Sequence, residues 1–127
     1  MVDDSIDLLN GLCDYLKAQP LFHVVGTARD GCEALHKAEL LKPDLILMDL
    51  HMPVMNGLEA TAVLLRRVPN IRIIIMTLDD SAETEAKARA QGAHGFIGKL
   101  QMLGDHLRTE VHRVFHLNCV QDERTSS

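Results

Sequence analysis

An aspartate, a threonine and a lysine each stand where an apolar run stops. The run 45–48 (Leu-Ile-Leu-Met) ends at Asp49, the run 71–76 (Ile-Arg-Ile-Ile-Ile-Met) at Thr77, and the run 96–98 (Phe-Ile-Gly) at Lys99. A shorter stub, Met1-Val2, ends at the pair Asp3-Asp4. If these runs are parallel strands, their terminal side chains gather along one edge of one sheet. In open α/β sheets ligands bind outside the carboxyl ends of the strands, at the switch point of strand order. Carboxylates, a hydroxyl and an ammonium gathered there describe phosphoryl transfer around a divalent cation.

The elements that must position these groups can be read from periodicity. Residues 5–18 place Ile6, Leu8, Leu9, Leu12, Cys13 and Leu16 at helical spacing, behind Ser5 as N-cap and before Pro20. Residues 23–28 read as a strand, and Asp30-Gly31 turns the chain into a helix over 31–41 that Lys42-Pro43 stops. A strand over 44–49, a loop with Pro53 and Gly57, and a helix over 57–67 come next. Strand 71–76 is apolar on both faces apart from Arg72, as a strand covered on both sides requires. A helix over 81–91 ends at Gly92, with Asp79, Asp80 and Glu83 at its start, where they favour its dipole. Strand 95–98 and a helix over 102–117 complete the alternation. Strands alternating with helices predict a doubly wound parallel sheet with right-handed crossovers. One element is short. A buried strand runs ~5–6 residues, yet only two precede Asp3, so the first strand is expected to be truncated, or the start to lie downstream of the natural one.

Bulk properties narrow the class. The 127 residues suit one domain, 46% hydrophobic and 24% charged as in ordinary globular proteins. Three widely spaced cysteines (Cys13, Cys32, Cys119) without a C-x-x-C pair read as reduced thiols, which predicts a cytoplasmic protein. No apolar stretch approaches the ~20 residues of a membrane span. A formal charge of −5 argues against nucleic-acid binding by this chain alone.

The order of elements and the polar positions resemble the receiver domain of two-component response regulators. The matching segments are Val-Asp-Asp-Ser at 2–5, Pro-Asp-Leu-Ile-Leu-Met-Asp-Leu-His-Met-Pro at 43–53 with Asn56-Gly57, Ile-Ile-Met-Thr at 74–77 and Gly-Ala-His-Gly-Phe-Ile-Gly-Lys at 92–99. The resemblance implies a flavodoxin-like five-stranded parallel sheet of order 2-1-3-4-5 with helices on both faces. The receiver would fill residues 1–120, leaving a polar tail over 121–127. It implies Asp49 as phosphoacceptor, since a carboxylate can attack phosphorus and form an acyl phosphate. Lys99 and Thr77 would answer to the phosphoryl group, and Phe96 falls on the family's aromatic switch position. The resemblance also implies Mg²⁺, held by Asp4, Asp49 and the backbone carbonyl of His51, with Asp3 reaching it through water. Carboxylates ~4 Å apart repel by ~4 kcal/mol at an effective dielectric near 20, and Mg²⁺ relieves this while bridging to phosphate oxygen.

The resemblance thus implies a bacterial signalling switch that catalyses only its own phosphoryl transfer and dephosphorylation. Its donor would be a sensor histidine kinase or a phosphotransfer protein. A homodimer could form through the face made by the fourth helix, fifth strand and fifth helix. Two departures stand out. Leu100 replaces a proline common in the family, so that peptide should be trans; lysine without the proline is typical of receivers that precede a LuxR-type helix-turn-helix domain. Leu78 is larger than the usual residue after the threonine and narrows access to Asp49. The competing reading is a receiver-like interaction module that is never phosphorylated, because the short first strand misplaces Asp3 and Asp4. A dehalogenase-like phosphatase would need an acid at position 51, which is His, and a nucleotide module a phosphate loop within 5–12. His112 and His116 lack a third metal ligand at suitable spacing.

Overall fold

Three helices begin where a polar side chain takes up a free N–H. The Asp30 carboxylate accepts from Glu33 N, the Asn56 amide oxygen from Glu59 N, and the Ser81 hydroxyl from Thr84 N. The computed structural model describes residues 1–3, 5–19, 22–50, 55–99 and 106–115. Asp4, His51, Pro53, Leu100, His116 and the tail 121–127 lie outside the described residues. In chain order the elements are α1 (Ile6–Lys17), α2 (Gly31–Leu41), β1 (Leu45–Asp49), α3 (Gly57–Arg67), β2 (Arg72–Thr77), α4 (Ala82–Ala90) and β3 (Gly95–Gly98). A last helix, α5, covers 106–115.

The sheet is parallel. β1 pairs with β2 from Leu45↔Arg72 to Asp49↔Met76, and β2 with β3 from Ile74↔Gly95 to Thr77↔Gly98. Beyond β1, Val2 forms single parallel bridges to Met48 on one side and Ala28 on the other. The order across the sheet is thus Ala28, Val2, β1, β2, β3: the expected 2-1-3-4-5, with its first two positions held by one residue each.

That corrects the expected strand over 23–28. Only Ala28 is paired, its N–H donating to Met1 O at 2.9 Å and its carbonyl accepting from Asp3 N at 3.0 Å. Its neighbour Val2 is bridged only to Ala28 on this side, so residues 23–27 have no described strand beside them. The Met1 amine approaches Gly26 O at 3.4 Å, and burial pushes its pKa down to about 6.

Two apolar layers sandwich the sheet. One joins α2, α3 and α4 through Ala34, Ala38, Ala60, Leu64 and Ala88. The other joins α1 and α5 through Leu12, Leu16, Leu107, Val111 and Val114. Residues 73–77 of β2 are buried on both faces, which is why that strand reads as a continuous apolar run.

Candidate functional site

Register decides what meets at the carboxyl edge. Asp49 is the last residue of β1 and Thr77 the last of β2, and both are buried. Lys99 follows β3 directly, and Asp3 follows the Val2 bridge. The Lys99 ammonium lies 2.8 Å from Asp3 Oδ2 and 3.1 Å from Asp49 Oδ1. Two acids that are 46 residues apart in sequence (49 − 3) thereby share one cation in a buried setting. Burial of Lys99 opposes its charge, but the close carboxylates of Asp3 and Asp49 outweigh this and raise its pKa.

Asp3 is held from both ends. Its N–H is bridged to Ala28, and Oδ1 accepts from Ser5 N at 2.9 Å. Oδ2 is fully buried, and the 2.8 Å ammonium contact does not meet the angles of a directed hydrogen bond. The contact is ionic, so a hard carboxylate lone pair stays available inside the site. That donor set fits a hard divalent cation.

Thr77 Oγ1 accepts from Asp79 N at 3.1 Å, which leaves its own proton to give. Glycine is required at position 57, where an added Cβ would stand 2.3 Å from Asp49 O. Gly57 N donates to Leu50 O at 2.9 Å, seating the start of α3 against the end of β1. Phe96 is half-buried against the α2–α3–α4 layer.

Asp3, Asp49 and Lys99 are therefore brought together directly, and Thr77 ends the adjoining strand. Asp4 and the His51 carbonyl cannot be placed, lying outside the described residues. Two participants escaped the sequence reading. Asp79 does more than favour a helix dipole: besides its N–H bond to Thr77, its Oδ1 accepts from Ser81 N at 3.2 Å and its Oδ2 from Thr84 Oγ1 at 2.7 Å. It thus ties Thr77 to the first turn of α4. The spacing Asp79-x-Ser81-x-x-Thr84, an Asx turn running into a helix cap, was the available signal. The other is Glu110 of α5, whose Oε2 accepts from Phe96 N at 2.8 Å.

Comparison with known proteins decides the family. A sequence profile described as the response regulator receiver domain matches residues 1–111. The chain belongs to the response regulator receiver family. The receiver is 35% identical over 99 residues to the transcriptional regulatory protein LnrK of Bacillus subtilis, covering 78% of this chain and 45% of LnrK. The crystal structure of the response regulator domain of Thermotoga maritima CheB matches it with a TM-score of 0.76 and 34% identity, over 91% of this chain and 90% of that one. The CheX–CheY–BeF₃–Mg²⁺ complex of Borrelia burgdorferi matches with a TM-score of 0.81 and 27% identity, over 90% and 85%. The receiver spans between 27% and 50% of the length of the curated relatives it matches. No described helix is long and apolar enough to cross a membrane.

Proposed function

We propose that this receiver accepts a phosphoryl group on Asp49, in a Mg²⁺-dependent reaction, from a sensor histidine kinase or a phosphotransfer protein. The observation that carries this reading is the Lys99 ammonium shared between Asp3 and Asp49. An Asp49 carboxylate oxygen attacks phosphorus in line, an O–P bond forms, and the bond to the donor nitrogen breaks with its electron pair going to that nitrogen. Phosphorylation converts the Asp49 carboxylate into an acyl phosphate, and Lys99 turns to the new phosphoryl oxygens. Thr77 has a hydroxyl proton to donate to one of them. Mg²⁺, when bound, supplies charge neutralisation between carboxylates and phosphoryl oxygen. Asp4, Asp49 and the His51 carbonyl would hold it, with Asp3 acting through water. The placement of Asp3 against Lys99 weighs against the module that is never phosphorylated. The CheY crystals that contain BeF₃ and Mg²⁺ lend support by likeness.

The same reading makes the chain a cytoplasmic switch whose only chemistry is its own phosphorylation and dephosphorylation. The receiver unit runs over 1–120, with 121–127 as a tail. Drawing Thr77 toward the phosphoryl group pulls on Asp79 and so on α4, while Phe96 repacks beside it. This is a local charge change biasing a two-state element. The face of α4, β3 and α5 is what a partner, or a second copy, would read.

Incubation with acetyl phosphate, read by intact mass, is the test. One phosphoryl adduct is expected with Mg²⁺ and none in excess chelator or in Asp49→Asn. Wild-type labelling of Asp49→Asn would overturn the assignment. Beryllofluoride should shift amide resonances over 78–99 and 106–115; unchanged resonances there would remove the switch while leaving the phosphoacceptor intact.

A further inference from the structure

The turn from α4 into β3 carries a histidine ring where a backbone acceptor belongs. Odd-numbered residues of β2 present their N–H and C=O to β3, because Arg72 N turns the other way, to Asp44 O. The ladder to β3 starts at Ile74↔Gly95, so Ile73 stands just before its first pair. The Ile73 carbonyl accepts from His94 N at 2.8 Å, while the Ile73 N–H donates to His94 Nδ1 at 3.1 Å. The ring nitrogen thus supplies the acceptor that a strand carbonyl would otherwise give. Ile73 is fully buried, so without the ring its N–H would lose its partner away from water. His94 itself is half-buried and can exchange protons with solvent.

The carbonyl of the same residue gathers both flanking helices. Arg113 Nη2 of α5 donates to His94 O at 3.2 Å, and Arg89 Nη1 of α4 approaches it at 3.5 Å. Arg89 is paired with Glu85 at 2.9 Å and Arg113 with Glu110 at 2.8 Å, and Glu110 in turn takes the Phe96 N–H. α4 runs into this turn without slack. Gly92, at φ +104°, donates its N–H to Arg89 O at 3.0 Å, and Ala93 N donates to Ala88 O at 3.1 Å. The charged groups around the turn are therefore Arg72 from β2, Arg89 and Glu85 from α4, and Arg113 and Glu110 from α5. Both acids are engaged by arginines, which leaves the ring on a rim of net positive charge.

We propose that His94 is a proton-operated latch: the neutral ring ties α4 and α5 to the start of β3, and its protonation loosens that tie without any change at Asp49. Protonation puts a hydrogen on Nδ1, donor against the Ile73 N–H donor, so the bond cannot persist. The ring has to swing out, which strands a buried N–H and brings a positive charge among three guanidiniums. Burial, and then the charge of Arg72, accordingly lower its pKa below the ordinary histidine value. A folded pKa lowered in this way contributes stability that is present above the unfolded value of ~6.5 and lost as pH falls through the folded one. The carbonyl that Arg89 and Arg113 share then loses its fixed position, and the face of α4, β3 and α5 loosens with it.

The test uses the full 127-residue chain without a phosphodonor. Protection of the Ile73 amide, corrected for the intrinsic pH dependence of exchange, should fall by up to about tenfold between about pH 7.5 and about pH 5.5. That is the factor by which proton uptake by an ordinary histidine grows over the interval. In His94→Asn, whose Oδ1 can accept from Ile73 N without titrating, protection should stay level. A parallel fall in that variant would overturn the proposal. The wild-type ring gives an independent reading by NMR: a neutral Nε2–H tautomer that titrates below ~6.5 is expected. A ring that titrates at or above that value, or that carries its proton on Nδ1 when neutral, would overturn it as well. Amides over 88–96 and 110–114 should follow the same titration. Acid shifts confined to Ile73 and His94 would show a local bond with no hold on the helices, and the latch fails. With no phosphodonor present, any of these failures leaves the assignment of Asp49 untouched.

Discussion

From Leu45 to Thr77, each strand residue of the sheet has a neighbour in register; between Met1 and Ala28, only Val2 and Ala28 do among the described residues. The two regions nevertheless build one site. Asp49 and Thr77 stand on continuous ladders whose residues are largely buried, whereas Asp3 follows one residue with two isolated bridges. What equalises them is the Lys99 ammonium, which ties the acid on the weak side to the acid on the strong side. A site edge needs backbone support on every strand or a side-chain tie across the gap, and this molecule uses the second where the first is thin.

Removing that tie should have the largest effect. Lys99→Met leaves Asp3 and Asp49 facing each other without a cation, and breaking a buried pair from one side costs ~3–5 kcal/mol. Urea unfolding should show that loss in chelator and a smaller one in Mg²⁺, which restores a positive charge between the acids. Equal losses under both conditions would mean that the two acids do not compete for one cation.

The ladders themselves come next. Ile75→Ala in fully buried β2 should cost ~2–5 kcal/mol. Val25→Ala, on the unpaired segment and 49% exposed, should stay within ~0.5 kcal/mol. Comparable losses at both positions would break the contrast between the two regions.

The smallest effect belongs to the far edge of the sheet. Glu110 takes the Phe96 N–H that β3 would otherwise offer to another strand. Burial raises its pKa, but hydrogen bonds from Arg113 and from Phe96 N, together with the charges of Arg113 and Arg89, outweigh this and lower it. A lowered folded pKa contributes stability that is present above the unfolded value of ~4.3 and lost as pH falls through the folded one. Glu110→Gln should therefore cost ~1 kcal/mol at neutral pH, and the difference from wild type should vanish in acid. A difference that persists below the folded pKa would show that the carboxylate charge plays no part.

The strand-end residues were legible because strands covered on both faces are apolar until they stop. Asp49, Thr77 and Lys99 break such runs, and the structure gathers them as their positions imply. Residues 23–28 misled for the opposite reason. Val24 and Val25 have the composition of a strand, but pairing belongs to the neighbour, and here the neighbour Val2 is bridged only to Ala28 on this side. The roles of Asp79 and Glu110 rest on a side chain reaching a backbone group or a hydroxyl, contacts that leave almost no trace in periodicity.

Local chemistry thus lay in the chain itself: where runs stop and which residues cap helices. These obey steric and hydrogen-bonding rules that act over a few residues. Tertiary structure alone decided that Asp3 and Asp49 share Lys99 and that Thr77 is roped to α4 through Asp79. Each of these depends on which backbone comes to lie beside which, and that is settled by burying both faces of one sheet at once.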